Sequence, residues 1–90
     1  MTKMKTKKQI VPKWFKGMIY GEGDEVTNPF TGMCYTLNAL ELSVYDFIIG
    51  SQLVLEVAPK TVTKKQIGDF QKALTWFRVN NAEAYMVLLD

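Results

Sequence analysis

Histidine is absent from the 90 residues, and cysteine occurs once, as Cys34. No disulfide can form within such a chain, and the usual zinc clusters built from Cys and His are excluded. The side chain most often used for acid–base catalysis at neutral pH is missing too. Long apolar runs are also lacking. The greasiest stretch, Leu37 to Ala58, contains Glu41, Asp46, Glu56, Ser51 and Gln52, and falls short of the ~20 predominantly apolar residues of a membrane span. A secretory signal needs an apolar run of about 7–15 residues after its charges. Here the first lysines lead only into Ile10-Val11-Pro12-Lys13. Arginine, favoured in mitochondrial presequences, does not occur before Arg78. These absences predict no membrane partner and a cytoplasmic protein.

What is present suits one small domain. Hydrophobic residues make up 48% and charged residues 22%, whereas disordered chains combine low hydrophobicity with high net charge. The formal charge of +2 is unevenly spread. Six of the eleven basic residues, Lys3, Lys5, Lys7, Lys8, Lys13 and Lys16, lie at the start, and no acid precedes Glu22. The remaining 5 basic and 9 acidic residues leave the body at −4. We therefore read residues 1–12 as a disordered basic arm and 13–90 as a single globular domain.

Along that domain the sequence predicts an α+β fold: a small β-hairpin, two main helices and a short C-terminal helix. Trp14 to Tyr20 reads as a strand or a helical turn, with Gly17 and Gly21 opposing a long helix. Gly21 to Asp24 reads as a flexible acidic connection. Glu25-Val26-Thr27 and Met33 to Leu37 flank Asn28-Pro29-Phe30-Thr31-Gly32, where Pro29 presets a turn and Gly32 admits positive φ. Asn38 and Glu41 have the spacing of a capping box, and Thr63 with Gln66 repeats it. The first box opens a helix that runs to the proline at 59, with Gly50 as a possible break. One face carries Leu40, Val44, Phe47, Ile48 and Leu55; a second carries Leu42, Tyr45, Ile49 and Leu53. A helix apolar on nearly every side is buried on several sides, and in so short a chain that implies a central position or an interface. The second box opens an amphipathic helix with Ile67, Phe70, Leu74 and Phe77 on one stripe. Asn80-Asn81 ends it and caps the last helix, Ala82 to Leu89.

Chemistry has little to work with. Cys34 has no base beside it in sequence and is expected to be a buried, inert residue of a strand. Glu22, Asp24 and Glu25 lack the regular ligand spacing of a calcium loop and read as a solvated acidic segment. The glycines at 17, 21 and 23 give no phosphate-binding fingerprint. The sequence thus predicts no catalytic, metal or cofactor residues, no small-molecule substrate, and a non-enzymatic protein.

Binding is better served. Leu42, Tyr45 and Ile49, on the surplus apolar face, and Trp76, off the main stripe of its helix, are candidates for contact with a partner. A second possibility is nucleic acid: Lys3, Lys5, Lys7, Lys8, Lys13 and Lys16 would neutralise phosphate while Trp14 and Phe15 stack on bases.

The Asn28-Pro29-Phe30-Thr31-Gly32 turn, the start Leu40-Glu41-Leu42-Ser43-Val44-Tyr45-Asp46, Trp76-Phe77 and the ending Ala84-Tyr85-Met86-Val87-Leu88-Leu89-Asp90 resemble small uncharacterised proteins of tailed bacteriophages, particularly those of marine bacteria. The likeness spans about residues 25–90 and excludes the arm. It implies a viral origin and an accessory or virion-associated role, and it carries over no site residue. Together these readings predict a homo-oligomeric interaction module that buries apolar helix surface against another copy or a host or viral protein. Nucleic-acid binding through the arm and a place in the virion are the alternatives.

Overall fold

The computed structural model describes residues 9–15 and 19–89. The basic side chains expected at Lys3, Lys5, Lys7, Lys8 and Lys16 lie outside these residues. So does most of the segment read as a disordered arm. Its last part is different: Gln9 lies against the domain, where its side chain bonds to Glu41 and Asn38. Pro12 opens a turn closed by the Phe15 amide donating to its carbonyl at 3.1 Å.

The order of elements is β1 (Asp24–Thr27), β2 (Cys34–Leu37), α1 (Ala39–Val57), a single 3-10 turn (Pro59–Thr61), α2 (Lys64–Asn80) and α3 (Ala82–Leu88). This is the small α+β arrangement expected, a two-stranded antiparallel hairpin followed by three helices. The strands pair from Asp24 opposite Leu37 to Thr27 opposite Cys34. Beyond them the Asn28 amide donates to the Met33 carbonyl at 2.8 Å, and the Gly32 amide to the Asn28 carbonyl at 2.8 Å. Gly32 sits at φ +78°, a conformation that a β-carbon disfavours. Gly23 answers a different need, because a β-carbon there would stand 1.9 Å from the Leu37 carbonyl oxygen.

Both capping boxes form. The Asn38 side chain accepts from the Glu41 amide and the Glu41 carboxylate accepts from the Asn38 amide. Thr63 and Gln66 do the same at the start of α2. Asn81 caps α3 by accepting from the Ala84 amide at 3.1 Å, while Asn80 donates back to the Trp76 carbonyl. Helix α1 runs unbroken through Gly50 to Val57.

The core lies at one end of the α1–α2 pair. Val44, Tyr45 and Ile48 of α1 meet Ala73 and Phe77 of α2, with Ala84 and Leu88 of α3, Leu37 of β2 and Phe15 of the N-terminal segment completing the cluster. The Phe15 ring stands edge-on to Phe47, with centroids 5.7 Å apart. Two buried polar side chains stitch these layers. Asn28 accepts from the Phe30 amide at 2.8 Å and donates to the Val87 carbonyl of α3 at 3.0 Å. Glu41 accepts from Gln9 at 2.8 Å and from Asn81 at 3.0 Å. No buried side-chain polar atom is left unpaired among the described residues, as a domain with so small a core requires.

Candidate interaction surface

Helices α1 and α2 run antiparallel, so the end of α1 lies beside the start of α2. Hairpin, α3 and N-terminal segment all stack on the opposite end. Nothing in the described residues covers the far end, and apolar side chains there remain in solvent. Ile49, Leu53, Val54 and Val57 of α1 and Ile67 of α2 are all exposed, Leu53 at 58% and Val57 at 74%. Between the two helices lies an apolar groove of about 310 Å³, walled by Phe47, Val54, Leu55, Val62 and Phe70, with Gly50 on one side. A β-carbon on Gly50 would meet no atom within 4 Å. The rim carries Gln66 and Asp69, the latter held by Lys65 at 2.9 Å.

The side chains expected to meet a partner are dispersed. Ile49 belongs to the exposed stripe. Tyr45 does not: it is buried, its ring 6.3 Å from that of Phe77, because α2 covers it there. Leu42 is half-buried and packs against the core. Trp76 is also half-buried, set edge-on to Phe77 at 6.5 Å, in a shallow hollow shared with Trp14, Gly68 and Lys72. Of the residues that make the surface, Leu53, Val54 and Val57 lie in the helix read as apolar nearly all round, and Ile67 lies on the apolar stripe of the second helix. Which end of that helix stays bare follows only from where the other layers stack.

The nucleic-acid candidates are separated as well. Phe15 is buried in the core, so its ring is not offered to a base. Trp14 is half-buried against Phe15 and Phe47, with centroids at 6.0 and 6.2 Å. Lys13 is exposed on the turn.

Chemically reactive groups do not converge. Cys34, expected to be buried, is exposed. It lies on the solvent face of the hairpin, where its sulfur is 3.2 Å from the Thr27 hydroxyl on the paired strand. A two-stranded sheet has one face against the domain and one in water, and the alternation of β2 buries Leu37 and turns Cys34 outward. A polar cleft between β2, α1 and α3 gathers Gln9, Tyr35, Asn38, Glu41, Asn81 and Glu83. Within it Tyr35 donates to Glu83 at 3.0 Å. Partial burial, and then the Glu83 carboxylate, raise the Tyr35 phenol above its ordinary value. These groups are amides, carboxylates and a phenol already bonded to one another, with no nucleophile among them. Tyr20 donates to Asp46, whose carboxylate likewise raises its phenol. Among the described residues no three Asp, Glu or Cys side chains come together as metal ligands, and no helix is long and apolar enough to cross a membrane.

Comparison with protein-family models, with curated proteins and with solved structures finds no match to this chain.

Proposed function

We propose that this protein is a non-enzymatic interaction module that self-associates through the bare end of its α1–α2 pair. The observation carrying this reading is the exposure of Ile49, Leu53, Val54, Val57 and Ile67 at one end of the helix pair, where Val54 and Ile67 also line an apolar groove. Contiguous exposed apolar patches on small proteins mark interaction sites, and burying them returns roughly 25 cal/mol per Å². An accessory or virion-associated role in a host cytoplasm is part of the same proposal, and the same surface would serve a host or viral partner. Association through the arm with nucleic acid is the weaker reading, because burial of Phe15 removes one of its two stacking rings.

Light scattering over a range of concentrations tests the proposal. A mass that rises above the 10.3 kDa of one chain is expected. Substituting Leu53→Glu together with Val57→Glu should return it to that value while leaving the circular dichroism unchanged. A wild-type chain that stays monomeric at high concentration contradicts self-association.

A further inference from the structure

The largest exposed apolar group lies at the other end of the molecule. Phe30, at the tip of the hairpin, is 95% exposed, more than any other large hydrophobic residue described. It is also held in place. The Asn28 side chain accepts from the Phe30 amide, the Gly32 amide donates to the Asn28 carbonyl, and Asn28 is tied to α3 through the Val87 carbonyl. A loop of surface polar residues would satisfy the same turn without a phenyl ring in water. A fixed aromatic knob loses little entropy when it docks.

Resting on the reading that the groove is a self-association surface, we propose that Phe30 of one copy seats in the α1–α2 groove of the next, joining the chains head to tail. Size permits it: an apolar cavity of about 150 Å³ takes up benzene, and this groove holds about 310 Å³. Gly50 leaves one wall open where its own fold requires no glycine, since the space beyond it is empty. A helix-interior glycine costs about 0.5–1 kcal/mol relative to alanine, and packing within the monomer does not require this one.

Charge favours the same pairing. The hairpin and its approach carry Glu22, Asp24 and Glu25, and no Lys or Arg occurs from residue 17 to 59. The groove end carries Lys60, Lys64 and Lys65 against Glu56 and Asp69, which leaves it at +1. A surplus of three acids at one end and of one base at the other favours unlike ends meeting over like ends. Because knob and groove are different surfaces, the contact is heterologous, and it propagates into a ring or an open chain.

Two variants test this by mixing. Phe30→Ser removes the knob from an exposed position, and Gly50→Leu fills the groove from a helical position with open space around it. Each should fold as the parent does by circular dichroism, and each alone should scatter light as a monomer. Mixed in equal amounts, they should form a complex of twice the monomer mass that grows no further, since one variant keeps the groove and the other keeps the knob. Phe30→Ser protein that associates like the parent would overturn the proposal while leaving the groove as an interface. Monomeric variants that fail to complement one another would also overturn it, in favour of a symmetric contact. A parent chain that never associates would remove both this inference and the functional reading beneath it.

Discussion

The two halves of α1 have similar composition and opposite surroundings. From Ala39 to Ile48 the helix buries Glu41, Ser43, Val44, Tyr45 and Ile48. From Ile49 to Val57 it buries none of its residues fully, although Ile49, Leu53, Val54, Leu55 and Val57 are as apolar as anything in the first half. The difference lies in the layers outside the helix. The hairpin, the N-terminal segment and Asn81 all reach the first half, while the second meets the start of α2 and the short turn that leads into it. Local sequence makes the helix, and tertiary stacking decides which of its apolar residues form a core and which a surface.

The sharpest way to break this comparison is to truncate one residue in each half. Ile48 is fully buried, and Ile48→Ala should cost about 2–5 kcal/mol in urea unfolding, through lost burial and the cavity left behind. Leu53→Ala, measured at a concentration low enough to keep the chain monomeric, should change stability by less than about 0.5 kcal/mol. Equal costs would mean that the second half is covered within one copy.

Next in size is the tie that places the hairpin over the first half. Asn28→Ala leaves the Val87 carbonyl without its donor and removes the turn bond to Phe30, and should cost about 1–3 kcal/mol. Loss of amide protection in β1 and β2 at unchanged protection in α2 is the accompanying signature.

Gly50 sharpens the comparison in the opposite direction. Gly50→Ala meets no neighbour and should stabilise the monomer by about 0.5–1 kcal/mol. A destabilised monomer would show that the helix needs this glycine for itself.

The smallest effect is on pH dependence. Burial first, and the Asp46 charge second, raise the Tyr45 phenol above its ordinary 10.0. The folded chain therefore holds the proton more tightly than the unfolded one. The stability this confers is fully present below pH 10.0 and declines as the pH rises through the folded-state value. Phenolate absorbance should show the Tyr45 step later than that of an exposed tyrosine, and Tyr45→Phe should flatten the decline.

Much of the fold was legible in the sequence because it rests on short-range chemistry. Asn38 with Glu41, and Thr63 with Gln66, are three residues apart and announce their helices without reference to anything distant. Pro29 and Gly32 fix the turn in the same local way. The exposure of Cys34 was not legible, since it depends on which face of a two-stranded sheet meets the domain. Tyr45 and Ile49 share the surplus face on sequence grounds, yet α2 covers the first and leaves the second bare. The role of Glu41 was half legible: its capping bond is local, but its bonds to Gln9 and Asn81 join segments distant in sequence.

The most direct measurement is amide hydrogen exchange of the unmodified chain at several concentrations. The account predicts that protection of residues 49–57 and of the start of α2 rises with concentration, while that of residues 39–48 stays constant because its cover belongs to the same copy. Protection of both halves that is independent of concentration would contradict it.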